Sequence, residues 1–328
     1  MLPRVGLVVT HPIQYYAPWY RALAQLIDLE VLFCHDQRST DHARSEFGIA
    51  FDWDVPLLEG YRYRFLTNRA KQPDVSHFAG CDTPELPTLI QQRQYDAVIV
   101  QGWYVKSYWQ AISACWRMGI PVLVRGDSHL STPRTPAKRL TKALAYRAFI
   151  PRFAAYLYVG KRNRDYYLHY GANPKRLVFA PHAVDNQRFA HEAARLKSQR
   201  AALRAQWGLP ADGMVALFVG KLVARKAPHD FILALALAGR HNQHICGLIV
   251  GEGPQRAELE AAALNSGVTI RFTGFLNQSQ ITQAYVAADL LVLPSDGSET
   301  WGLVVNEAMA CGLPALVSDQ VGCAPDLI

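Results

Sequence analysis

Hydrophobic positions along the chain fall into two recurring patterns. Short, unbroken apolar runs alternate with longer stretches in which apolar residues return every three to four positions. The runs at 4–10, 29–34, 96–101, 119–124, 155–159 and 177–179 are β-rich and lack polar alternation, as expected of strands covered by helices on both faces. Helical spacing is found at 17–26, 107–118 and 135–153. A Pro-led polar stretch, residues 181–189, then reads as a linker, and a polar helix is expected over 192–207. The pattern resumes with strands at 214–220, 244–250, 269–272, 290–293 and 315–318. Helices are expected at 230–238, 255–265, 278–288 and 302–310. Strands alternating with helices predict an α/β protein with parallel, doubly wound sheets. The repeat of the pattern predicts two Rossmann-like domains in tandem, 1–182 and 183–328, facing a cleft. Such sheets bind ligands at the carboxyl ends of their strands, so the loops there are where chemistry is sought.

Length and composition agree with that division. At 328 residues the chain is about twice a usual domain. Hydrophobic residues make up 50%, charged residues 19%, and the mean hydropathy is −0.02, an ordinary folded composition. No apolar run approaches the roughly 18–20 residues of a membrane span. The apolar start ends at His11-Pro12, too soon for a signal peptide. The six cysteines are scattered, without a CxxC pair or zinc spacing. A cytoplasmic chain without a metal or cofactor is therefore expected. The formal charge of +7 suits an anionic partner or simple solubility. Nucleic acid is disfavoured by the lack of a helix-turn-helix, RNP-like or zinc pattern. A nicotinamide dehydrogenase is disfavoured because no GxGxxG follows the first strand.

The densest chemistry lies in SETWGLVVNEAMACGLP, residues 298–314. Glu299 is expected in a loop after a strand, and Glu307 on the helix that follows. Gly302 lets the backbone approach a ligand closely. The N–H groups of Gly302, Leu303 and Val304, with the helix dipole, suit a phosphate. Read alone, the two glutamates are better taken as a helix-capping acid, Glu299, and an exposed helix residue, Glu307. A second cluster, Lys221, Arg225 and Lys226, would neutralise a diphosphate as its charge develops. Read alone, it is also a solvated basic turn.

The run PSDGSETWGLVVNEAMACGLPALVSDQVGCAPDLI resembles the signature of retaining glycosyltransferases of the GT-B fold, glycosyltransferase family 4 (group 1 glycosyl transferases). The two glutamates have the family's spacing, with seven residues between them. VGKLVARKA resembles the family's glycine–lysine loop, although Lys221 replaces the more usual arginine and Ala227 the usual glycine. VGEGP resembles its VGxGP turn, FTGFL its strand end facing the nucleotide base, and PHAVDNQRF its NGVD linker. Together these cover nearly all of residues 181–328.

The resemblance implies a metal-independent hexosyltransferase that moves a sugar from a nucleotide-diphosphate donor with retention of configuration. The setting would be bacterial surface polysaccharide or glycolipid assembly. It implies catalytic roles for Glu299, Lys226 and Lys221. The donor would be held by Gly220, Arg225, Gly251, Gly274, Phe275, Thr300, Gly302, Leu303, Val304 and Glu307, with Glu307 on the ribose. An inactive or fragmentary homologue that only binds sugar nucleotides is the alternative. Family members usually continue for several more elements, so the second domain is expected to be truncated at its C-terminus.

The first domain would bind the glycan, lipid-linked or small-molecule acceptor. His11, Gln14 and Tyr15 follow the first strand, where many family members have a glycine-rich loop instead of THPIQYYAP. Gly102, Trp103 and Tyr104 follow another strand, and Trp103 offers a surface for a sugar ring. Arg125, Asp127 and His129 follow the strand at 119–124; Asp127 aligns best with the family's strand-end histidine, with His129 two residues later. Asp52-Trp53-Asp54 matches the metal-binding DxD of the other glycosyltransferase fold but follows no strand, and is read as loop. The basic helix over 135–153 has apolar residues between its cations. It would be either half-buried or laid peripherally on the inner face of an anionic membrane.

Overall fold

In a computed structural model, residues 2–36, 52–131, 135–241 and 244–328 are described. The chain forms two compact units. The first holds the N-terminal part through His182. The second runs from Ala183 and also takes in the described residues 52–55.

The first unit is a parallel sheet of seven strands among the described residues, in the order β3-β2-β1-β4-β5-β6-β7. The strands are β1 Arg4–Val9, β2 Asp28–Phe33, β3 Arg62–Phe65, β4 Ala97–Val100, β5 Val122–Gly126, β6 Ala155–Tyr158 and β7 Leu177–Phe179. β1 lies between β2 and β4, with Val5 beside Leu29 on one side and Ala97 on the other. Continuous apolar runs make sense here, because helices cover the sheet. Leu7, Val8, Val31, Leu32, Val98 and Val100 are all fully buried. Strand β3 and helices Leu86–Arg93 and Lys161–His169 had no clear periodic signal. β3 is an edge strand whose residues are largely exposed, so its apolar pattern is weak.

The second unit is a parallel sheet ordered β10-β9-β8-β11-β12. Its strands are β8 Met214–Val219, β9 Ile245–Val250, β10 Ile270–Gly274, β11 Leu290–Leu293 and β12 Ala315–Val317. Helices Pro228–Gly239, Arg256–Asn265, Ile281–Ala287 and Leu303–Ala310 connect them, close to the expected spans. The repeated strand–helix order thus becomes two parallel sheets in two α/β units, the fold class expected.

Two expectations on local structure are corrected. The linker 181–189 is not irregular throughout, since helix Asn186–Leu196 begins inside it, and the Asp185 side chain accepts from the Arg188 N–H at 3.0 Å as its N-cap. The single helix expected over 192–207 is two helices, Asn186–Leu196 and Arg200–Gln206, joined by the 3₁₀ turn Lys197–Gln199. The second is pinned by the buried Arg204. Its guanidinium donates to the carbonyls of Ala287, Ala211 and Gly213 and to Asp289 at 2.7 Å. Periodicity sees the apolar stripe of such a segment but not the polar anchor that redirects it.

Candidate active site

The five strands of the second unit end in five loops, which the backbone stitches together. Gly220 N–H donates to Val250 at 3.0 Å, Leu222 to Glu252 at 2.9 Å, and Gly251 to Gly274 at 2.9 Å. Asp296 donates to Arg225 at 3.0 Å and Gly322 to Glu299 at 3.0 Å. This closeness explains the VGEGP turn. Gly251 has φ +143°, and a Cβ there would lie 1.9 Å from the Gly220 carbonyl oxygen. No other residue fits without moving one loop away from the other.

Gly302 is similarly constrained. It caps helix Leu303–Ala310 with φ +95°, and a Cβ would lie 2.8 Å from Leu293 Cδ2. The glycine lets the chain turn sharply from loop into helix, so the helix starts at the carboxyl edge of the sheet. The first N–H groups of any helix lack intrahelical acceptors. Those of Leu303 and Val304 therefore begin the helix beside Glu299 and Thr300.

Lys226 closes the 3₁₀ turn Ala224–Lys226, and its Nζ forms an ion pair with Glu299 Oε2. Both side chains are only 12% exposed, so the pair is shielded from water. Arg225 is more exposed and reaches the same oxygen at 4.0 Å. Thus the fold brings together two of the residues assigned catalytic roles, 73 positions apart in the chain. Lys221 lies in the same loop, one residue after Gly220, partly buried. Ala227, where the resembled family has glycine, has φ +49°, the left-handed conformation that glycine would take without strain.

Glu307 is buried, not exposed as the structural alternative had it. Its Oε2 accepts from the Tyr285 hydroxyl at 2.5 Å, and its Oε1 from Gln278 Nε2 at 3.4 Å. Burial pushes its pKa up, against the pull of the Tyr285 and Gln278 hydrogen bonds and the Arg188 charge. Tyr285, Gln278 and Arg188 escaped sequence reasoning. Gln278 and Tyr285 fell in a span read only as helix, and Arg188 in a segment read as linker.

Phe275 follows β10 and meets Trp53 edge-on at a centroid distance of 6.3 Å. The flanking Asp52 and Asp54 hold the same loop. The Asp52 carbonyl accepts from Asn277 Nδ2 at 2.6 Å, and the Asp54 carboxylate accepts from the Ser279 N–H at 3.1 Å and from its hydroxyl. The DxD-like triplet is therefore a loop that clasps the β10 end. Among the described residues no group of three or more metal-ligating side chains comes together.

In the first unit the ends of β1 and β5 carry the residues assigned to the acceptor. His11 is buried and its Nδ1 lies 3.1 Å from the Thr10 hydroxyl; Gln14 and Tyr15 are partly exposed. His129 is buried and accepts from the Ser131 N–H at 3.2 Å. Its pKa is lowered by burial and by Arg162, against Asp127. Asp127 also acts electrostatically on Tyr16 and His182. Trp103 packs among Tyr146, Phe149, Phe153 and Tyr167, stacked on Phe153 at 6.1 Å. It is thus tied to the core of this unit.

Two residues give this end its organisation. Arg125, 3% exposed, lies over the rings of Trp19 and Tyr16 at 4.8 and 5.4 Å and donates to the Ala180 and Pro181 carbonyls. His182 stacks on Tyr16 at 6.2 Å, and burial with the Arg125 charge lowers its pKa to about 4. His182 was hidden in the segment read as linker.

Residues 199–328 match the family model described as "Glycosyl transferases group 1", and the two parallel-sheet units have the fold of GT-B glycosyltransferases. The chain is 35% identical over 161 residues to a D-inositol 3-phosphate glycosyltransferase of Geodermatophilus obscurus, covering 46% of this chain and 34% of that protein. It is 37% identical over 147 residues to the 2-deoxystreptamine glucosyltransferase of Streptomyces kanamyceticus, covering 44% of this chain and 37% of that protein. The aligned part spans about a third of the length of these relatives. Among solved structures, Anabaena HepE in complex with UDP and glucose superimposes with a TM-score of 0.66, covering 98% of this chain and 82% of that one at 17% identity.

Proposed function

We propose that the chain is a retaining glycosyltransferase of family 4 that uses a nucleotide-diphosphate-sugar donor. The carrying observation is the shielded Lys226–Glu299 pair beside the N-terminus of helix Leu303–Ala310, at the carboxyl ends of a parallel sheet. In this reading the bond from the sugar C1 to the diphosphate oxygen breaks while the acceptor oxygen bonds C1 on the same face. The acceptor proton passes to the leaving phosphate oxygen. Lys226, Lys221, Arg225 and the N–H groups after Gly302 meet the charge that develops there. Glu299 orients the transferred sugar through its hydroxyls, and Glu307 takes the ribose. Charge neutralisation is assigned to these cations, with no metal or cofactor. Transfer that persists in EDTA is expected.

UDP-sugars are the first donors to try, since HepE was solved with UDP and glucose. The acceptor, assigned to the β1 and β5 ends of the first unit, is a glycan, lipid-linked or small molecule, in surface polysaccharide or glycolipid assembly at the cytoplasmic side of a bacterial membrane. Helix Pro136–Phe149 supports peripheral contact. Leu140 and Leu144 are 63% and 65% exposed on it, near the exposed Arg139 and Arg147. Co-sedimentation with anionic but not neutral vesicles tests that contact. For the reaction itself, Glu299→Ala and Lys226→Ala should each lower transfer by 10²-fold or more, on the scale of lost charge stabilisation. Near-wild-type transfer by either would refute the assignment. Donor binding by the native chain with neither transfer nor donor hydrolysis would favour a binding homologue.

A further inference from the structure

Glu307 does not stand alone in its buried site. It is the end of a chain of contacts that begins on helix Asn186–Leu196. Arg188 on that helix points both terminal guanidinium nitrogens at one residue. Its Nη1 donates to the Gln278 carbonyl at 2.8 Å, and its Nη2 to the Gln278 side-chain oxygen at 2.7 Å. The guanidinium lies 4.1 Å over the Phe189 ring, and Phe189 meets Tyr285 edge-on at 6.3 Å. Arg188 is therefore held in place by packing as well as by its bonds.

The consequence is chemical. A glutamine amide has a donor end and an acceptor end, and its orientation follows from its partners. Arg188 can only donate, so it claims the Gln278 oxygen. The Gln278 nitrogen is then the end that faces Glu307, 3.4 Å from Oε1. The Tyr285 hydroxyl donates to the other oxygen at 2.5 Å. Both neighbours of the carboxylate are thus donors. An ionised carboxylate has about four acceptor positions. Two are used among the described residues, and the proposed reading assigns the others to hydroxyls. Burial raises the Glu307 pKa even with these donors, and losing them would favour further the neutral form, a poorer acceptor for a diol.

We propose that Arg188 and Gln278 are positioning residues for nucleotide recognition. Arg188 fixes the Gln278 amide, and Gln278, with Tyr285, holds Glu307 as an acceptor for the vicinal hydroxyls of the donor's ribose. The proposal rests on the reading of Glu307 given above. It joins the start of the second unit to the helix after β11, through the loop after β10.

The test compares two probes by calorimetry: the nucleoside diphosphate among UDP, GDP and ADP that gives the largest thermal shift, and its 2′,3′-dideoxy form. The native chain should prefer the diol form by about tenfold or more, the scale of one or two hydrogen bonds to a charged group. Glu307→Ala should abolish the preference. Arg188→Met and Gln278→Met should each reduce it to within about threefold of unity, and Arg188→Lys, which keeps charge but loses the fork, should retain part of it. A purely structural role would weaken both probes equally and leave the ratio intact. If Glu307→Ala keeps the preference, or none of the three diphosphates binds, the reading of Glu307 fails and the proposal with it. If Glu307→Ala loses the preference while folded Arg188→Met and Gln278→Met keep it, the reading stands and the proposal is overturned.

Discussion

Replacing Gly251 by alanine tests whether the second unit's loops are as tightly interlocked as their backbone bonds indicate. The new Cβ would sit 1.9 Å from the Gly220 carbonyl oxygen, where 3.0 Å is about the least that real Cβ atoms tolerate. The two backbones must part by about 1 Å. A left-handed conformation costs a residue with a side chain about 1–2 kcal/mol. The hydrogen bonds from Gly220 to Val250 and from Gly251 to Gly274 are the ones a separation would stretch, at about 0.5–1.5 kcal/mol each. Together these give a destabilisation of about 2–5 kcal/mol. The same displacement would carry Gly220–Lys226 away from Glu299, and a misplacement of about 1 Å can cost about 10²-fold in rate. Gly267 supplies the control: its φ is +72°, but nothing lies within 4 Å of a Cβ there. Gly267→Ala should therefore cost only the conformational part, about 1–2 kcal/mol, and leave transfer unchanged. Urea unfolding and transfer rates of the two variants decide the matter. Equal stabilities, or wild-type transfer by Gly251→Ala, would refute the argument.

Further outcomes follow from single residues. Ala227→Gly should stabilise the chain by up to about 1 kcal/mol, because relief of the left-handed strain at φ +49° exceeds the entropy that glycine adds to the unfolded chain; a lower urea midpoint would contradict this. His182 has a folded-state pKa of about 4, below the ordinary 6.5, chiefly through burial and then Arg125. Below pH 6.5 the unfolded chain therefore binds the proton first. The neutral His182 contributes fully above that pH, and its contribution falls away as pH drops from 6.5 toward about 4. His182→Gln should flatten this part of the stability–pH curve; an unchanged curve would show that the histidine is not held neutral. Tyr285→Phe should weaken nucleoside diphosphate binding more than it weakens binding of the 2′,3′-dideoxy form, measured by calorimetry, since it strips one donor from Glu307.

Much of the second unit was legible in the chain itself. Its strands are continuous apolar runs, because both faces of a parallel sheet are buried, and burial leaves a one-dimensional trace. Gly302 was legible as a special position, since close backbone approach admits few other residues, and Gly251 only through the resemblance of VGEGP to a family turn. The pairing of Lys226 with Glu299 was not legible there, since it depends on β8 and β11 lying side by side in the sheet.

What the chain could not show were contacts with no periodicity. The helix inside the 181–189 stretch starts at a single capping aspartate. The 192–207 segment is divided at the turn Lys197–Gln199, and its second helix is held by Arg204 to Ala287 and Asp289, far away in the chain. Glu307 looks like any helix glutamate until Tyr285 and Gln278 close over it, and His182 like any linker histidine until Tyr16 and Arg125 do. Local patterns of hydrophobicity determine which segments become strands and helices, because burial of a face is a local requirement. Which polar side chain meets which, and so which carboxylate is kept as an acceptor and which histidine is kept neutral, depends on neighbours tens of residues away, and only the tertiary structure decided it.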